Sequence, residues 1–255
     1  MITAFAFVFG LIIGSFLNVV IYRLPRGQSL VYPRSHCPSC DRPIMPYDNV
    51  PLLSYVLLRG RCRYCRARIS PRYPLVELAT GTVAALLMVT YGPGIDTAVL
   101  FVLSCALIAI TCIDIDYRII PNVISYPGIV LGFLSSFITR LNTPLESVAG
   151  MLTGSGILFV VASVYRAITG VEGMGMGDIK LMAMLGAFLG WQACIFIIIV
   201  SSLFGSIVGV GLVIFAGKAR RYALPYGPFI AASAMTYLFY GKLLIGMYLR
   251  AIGHA

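Results

Sequence analysis

Apolar stretches long enough to cross a bilayer recur along almost the whole chain, and no other feature limits its fold so tightly. They occupy about residues 3–22, 75–91, 97–113, 122–139, 147–165, 181–197, 198–216 and 226–248. A spanning helix needs about 20 predominantly apolar residues, and in lipid every backbone polar group must be paired internally. The pattern predicts an all-α polytopic membrane protein with about eight transmembrane helices. The sixth and seventh runs are the hardest to separate. Gly190 and Trp191 sit in a possible turn, a later cut is also compatible, and seven spans is the rival count. Composition agrees: only 11% of the residues are charged and 59% are hydrophobic, where soluble domains carry about 25% charged residues.

The net charge of +10 raises the question of nucleic acid, but its distribution argues against that partner. Ten arginines lie in residues 23–72, and Arg118, Arg166, Lys180, Lys218, Arg220 and Arg221 follow on the same predicted side. The opposite side receives only Arg140, Lys242 and Arg250. Cytoplasmic loops carry such an excess of Lys and Arg. With eight spans, both termini lie outside and residues 23–74 lie in the cytoplasm. The first run has no basic residue before it and Arg23 and Arg26 after it, so it reads as an uncleaved anchor and not a signal peptide. Three parts follow: a first span at 1–22, a cytoplasmic insert at 23–74 and a membrane core at 75–255. YGPG (91–94) and NTP (142–144) read as outer turns.

The insert contains HCPSC at 36–40 and RCRYC at 61–65, two C-x2-C pairs with 21 residues between them. Paired thiolates on two knuckles make a tetrahedral sulfur site suited to zinc, at a gap just beyond the usual ribbon spacing. A cytoplasmic setting disfavours structural disulfides, and neighbouring arginines favour thiolate. The competing reading is a pair of redox C-x2-C motifs. With Cys37, Cys40, Cys62 and Cys65 all ligands, no position stays open, so zinc is expected to be structural. His36 is an alternative ligand. Cys105, Cys112 and Cys194, in apolar runs, read as small packing residues.

Nine acidic residues can be taken one by one. Asp41 and Asp48 are expected to be solvated, Asp96 and Glu146 to favour helix starts, and Glu172 to lie in a loop. Glu77, at the inner end of the second run, either snorkels or contacts a substrate. Asp114 and Asp116 end the third run in CIDIDYRIIPN, and Asp178 opens the sixth at the same face. Any one of these can be a helix-end marker. Acids at two places, at one face and one depth, point to a shared site, because a carboxylate within the membrane is costly. Two carboxylates about 3 Å apart share a proton; one then activates water and the other protonates a peptide carbonyl.

The segment GMGMGDIK (173–180) places three glycines before Asp178. Lacking side chains, they admit a substrate backbone or an opposing aspartate. A phosphate loop is disfavoured, since the spacing is not G-x-G-x-x-G and no strand precedes it. Helix packing is the competing reading.

At these residues the sequence resembles the type IV prepilin peptidases, a family similar in fold logic to the G-x-G-D intramembrane aspartyl proteases. Gly175-Met176-Gly177-Asp178 matches G-x-G-D, and the aspartate seven residues before Pro121 is Asp114, not Asp116. GSFLNVVIYRLP (14–25), the two C-x2-C pairs and YPLVELATG (73–81) carry the resemblance along most of the chain. It implies Asp114 and Asp178 as the catalytic pair, with Gly175, Gly177, Asp116 and Lys180 in support. It also implies a bifunctional enzyme of the bacterial inner membrane that serves type IV pilus assembly and type II secretion. That enzyme would cleave the leader of prepilins or pseudopilins after glycine, on the cytoplasmic side. It would then methylate the new N-terminus using S-adenosylmethionine. The basic surface sits oddly with a basic leader and is suited instead to holding the insert against anionic lipid.

Two other classes remain in view. An ion-coupled transporter would need carboxylates nearer the midplane and paired broken helices. A non-enzymatic assembly factor whose zinc module binds a partner leaves the G-x-G-D placement unexplained.

Overall fold

A computed structural model describes residues 1–216 and 225–251. Lys218, Arg220 and Arg221, expected on the inner side, lie outside the described residues. Eight α-helices are described: α1 (Ile2–Arg23), α2 (Leu53–Leu57), α3 (Arg72–Tyr91), α4 (Ile95–Tyr117), α5 (Asn122–Ser135), α6 (Pro144–Thr169), α7 (Met176–Ala216) and α8 (Gly227–Ala251). No strand runs through the described residues. The all-α polytopic expectation holds: five of these helices are long and apolar enough to cross a membrane, and α5 is a shorter apolar helix.

The chain divides into two compact units, Met1–Ala109 and Ile110–Ala255, with the division inside α4. In the first, α1 lies along α3. A Cβ on Gly10 would fall 2.7 Å from the Gly81 backbone, and one on Gly14 would fall 2.7 Å from the Glu77 backbone. Small residues four apart let membrane helices approach this closely, where dispersion and not water exclusion holds them. The opposite face of α1 presents Phe5, Val8 and Ile12 outward, as suits contact with lipid. Phe9 meets Phe101 of α4 at 5.9 Å between ring centroids.

In the second unit α7 is the hub, packed against α5, α6 and α8. Gly150 of α6 lies against the Gly186 backbone, Gly154 against Met182, and Gly132 of α5 against Ala187 and Phe188. The sixth and seventh apolar runs both fall within α7, whose helix breaks at Gly190 (φ 79, ψ 178). The Cys194 sulfur lies 4.0 Å from the Met182 carbonyl oxygen, atoms that about 18 Å of rise would separate in one straight helix. The chain therefore turns sharply at Gly190. Of the two places open to the sequence, the Gly190–Trp191 turn is the one used.

The turns at 91–94 and 142–144 both form. Gly92 ends α3 at φ 73, and Thr143 caps α6 reciprocally with Glu146. The fourth apolar run, helical as α5, stops at Ser135, short of residue 139; the chain there tightens into turns, with Ser136 and Thr139 hydroxyls bonded to Phe133 and Ser135 carbonyls.

Candidate active site and metal centre

The insert assembles the metal centre from two knuckles that copy each other 25 positions apart, Cys37 onto Cys62 and Cys40 onto Cys65. In each, the first cysteine's amide donates to a carbonyl five residues on, Cys37 to Arg42 at 2.9 Å and Cys62 to Ala67 at 2.9 Å. In each, the residue after the second cysteine is left-handed, Asp41 at φ 58 and Arg66 at φ 60. Neither is the glycine that usually marks such a turn, so the repeat is hidden in the sequence.

All four sulfurs lie within 4.8 Å of one another, and Cys37 Sγ is 3.8 Å from Cys65 Sγ. A tetrahedron with Zn–S bonds of about 2.3 Å has edges of about 3.8 Å, so the donor set fits zinc. His36 is not part of it, since its ring faces the Arg34 carbonyl and Asp41. The amides of Cys65 and Tyr64 hold the Cys62 thiol down at about 7. The Ala67 amide pulls Cys65 down, but burial and the three neighbouring sulfurs outweigh it and push that thiol up to about 11.

Two acids of this unit depart from expectation. Asp48 is not solvated: its side chain is only 7% exposed, and Arg63 grips it with Nε at 2.8 Å and a second nitrogen at 2.6 Å. Glu77 does not snorkel. It is 8% exposed and accepts the Leu52 backbone N–H at 2.9 Å, which ties the insert to α3.

The carboxylates of the second unit sit where helices end and begin. α4 stops because Arg118 turns left-handed at φ 56, and Pro121 then disfavours helix before α5. Asp114, in the last turn of α4, is 5% exposed. Asp116, two residues on, is exposed. The two therefore differ in exposure, Asp114 buried and Asp116 exposed.

Asp178 stands in the first turn of α7 and is half-buried. The glycines before it divide their work. A Cβ on Gly177 would fall 3.0 Å from Ile120 Cβ, so its bareness admits the segment that follows Asp114. Gly175 is more open, with a Cβ position 3.7 Å from Asp178 Oδ2. Lys180 turns to α5, where Nζ donates to Asn122 Oδ1 at 3.0 Å and lies 4.9 Å from the Tyr126 ring centroid. It anchors the site's edge.

One contact was not visible in the sequence. The Gly227 amide, at the start of α8, donates to Asp114 Oδ2 at 3.0 Å across 113 residues. Its sequence signal, YGP at 226–228, reads only as a helix start. The two carboxylates thus come from different helices of one unit, and one of them is buried and held by a backbone amide.

Comparison with known proteins identifies the family. Residues 8–91 match the bacterial peptidase A24 N-terminal domain, and residues 101–210 match the type IV leader peptidase family. A curated protein of Aeromonas salmonicida named prepilin leader peptidase/N-methyltransferase is 37% identical over 276 residues, covering 96% of this chain and 93% of the relative. Proteins of the same name from Aeromonas hydrophila (38%, covering 95% and 92%) and Pseudomonas aeruginosa (34%, covering 96% and 92%) are similar to it. No solved structure matches.

Proposed function

The chain belongs to the type IV leader peptidase family, and from that premise we propose that it is an integral inner-membrane peptidase and N-methyltransferase acting on type IV prepilins or pseudopilins. Asp114 and Asp178 form the catalytic pair. The observation that carries the proposal is that both belong to one unit: Asp114 at the end of α4, buried and hydrogen-bonded, and Asp178 at the start of α7, beside Gly177, whose Cβ position lies 3.0 Å from Ile120 of the segment after Asp114. The pair titrates as a unit. Its ionised member takes a proton from water as the oxygen attacks the scissile carbonyl; its neutral member protonates the carbonyl oxygen. Cleavage follows a glycine at the cytoplasmic edge, the side on which the positive-inside rule also puts the insert. Residues 75–255 serve as the protease core and residues 23–74 as the zinc-bearing module. Gly175, Gly177, Asp116 and Lys180 support the pair at the site's edge.

The four cysteines hold zinc in a closed site, which organises the insert and takes no part in bond cleavage. The methyl donor, S-adenosylmethionine, when bound supplies an electrophilic methyl group to the freed amine. One groove among the described residues does not suit it. A groove of about 610 Å³ between α1 and residues 49–51 has only Ser15 and Asn49 as polar lining side chains, with no cation for the donor's carboxylate.

Mass spectrometry of a purified prepilin after incubation with the protein and S-adenosylmethionine tests the proposal. Loss of the leader at a glycine and gain of one methyl on the new N-terminus are expected. An intact prepilin contradicts the peptidase reading.

A further inference from the structure

The start of α8 does more than begin a helix. Tyr226 supplies the carbonyl that accepts the amides of Phe229 at 3.0 Å and Ile230 at 3.2 Å, which sets the first turn. Its hydroxyl is tied to α7, 2.7 Å from Ser201 Oγ and 3.1 Å from Ser202 Oγ. Pro228 has no amide hydrogen and suits a helix start, so the Gly227 N–H is left to point out of the helix. It points at Asp114 Oδ2, 3.0 Å away and buried.

A side chain at this position would have to displace the carboxylate. A Cβ on Gly227 would lie 2.7 Å from Asp114 Oδ2 and 3.2 Å from its Cγ. The requirement comes from close approach to the carboxylate and not from an unusual φ. A helix N-terminus facing a carboxylate, with a charge-assisted hydrogen bond, both orients the group and favours its charge.

We propose that Tyr226 and Gly227 form a positioning clamp for Asp114: Tyr226 fixes the turn against α7, and the Gly227 amide fixes the carboxylate for the reaction. The clamp rests on the reading of Asp114 as half of the catalytic pair. It acts through Asp114 and touches no substrate.

The test is the pH profile of kcat/KM for prepilin cleavage by the full-length protein, comparing wild type, Gly227→Ala, Tyr226→Phe and Asp114→Asn. Gly227→Ala displaces the carboxylate and is expected to lower kcat/KM by about 10²-fold, the effect of an approximately 1 Å misplacement. Because the lost bond favours the ionised carboxylate, the acidic limb of the profile moves to higher pH. Tyr226→Phe removes only the hydroxyl tie and is expected to cost roughly 2–10-fold in the same direction. Zinc content and thermal unfolding report whether each variant is folded.

A folded Gly227→Ala protein with the wild-type profile, or one slowed with no shift of the limb, overturns the clamp. If Gly227→Ala does not fold, Tyr226→Phe decides: a wild-type rate and profile refute it. If Asp114→Asn is itself fully active, the catalytic pair fails and the clamp falls with it. An inactive Asp114→Asn beside a wild-type Gly227→Ala removes the clamp alone.

Discussion

Asp114 and Asp116 are two residues apart in one helix turn, yet only the first is buried. The sequence distinguished them by counting back from Pro121, and the fold distinguishes them by facing. Asp116→Asn is therefore expected to leave leader cleavage within a few-fold of wild type in an initial-rate assay. A loss as large as that at a catalytic acid would give Asp116 a role in the chemistry. Other residues were less legible. Nothing local marks Asp48 as the partner of Arg63, fifteen positions on, because an ion pair closed by tertiary folding leaves no periodic signal. The same holds for Gly227, whose partner is 113 positions away. Motif residues announce themselves by type and spacing, whereas the groups that hold them do not.

The helices were legible as apolar runs, but their joints were set by packing. α7 breaks at Gly190, and its hold on α6 depends on the Gly150–Gly186 contact. Gly186→Val forces side-chain atoms into the Gly150 backbone and is expected to destabilise by about 1–3 kcal/mol or more. Thermal unfolding of the detergent-solubilised protein reads this as an earlier transition. Gly156→Ala is the control, since nothing lies within 4 Å of its Cβ position, and an equal loss in both variants would contradict the packing account. In the other unit, Glu77→Ala leaves the Leu52 amide without its acceptor, a cost of about 1–3 kcal/mol. Limited proteolysis between residues 46 and 58 is expected to quicken; an unchanged rate would mean that Glu77 does not hold the insert.

At the scale of the molecule, the chain joins a zinc-binding insert and a membrane peptidase, and most of that plan was readable from the cysteine spacing, G-x-G-D and the apolar runs. The knuckle turns were not, because Asp41 and Arg66 stand where glycine is expected. The metal centre carries its own prediction. Only thiolates bind zinc, so uptake must displace protons still bound to the cysteines. Cys65 titrates at about 11 and is protonated at neutral pH, and Cys62 titrates at about 7 and becomes protonated as pH falls below that value. Apparent zinc affinity should thus weaken on acidification below pH ~7 by more than about tenfold per unit. Competition with a chromogenic chelator measures it, and an affinity that does not vary with pH contradicts a thiolate site.

The central claim is the aspartate pair, and leader cleavage by Asp114→Asn and by Asp178→Asn tests it most directly. Each variant, folded and carrying zinc, is expected to lose about 10²–10⁴-fold in cleavage rate, while full activity in either one would contradict the pair.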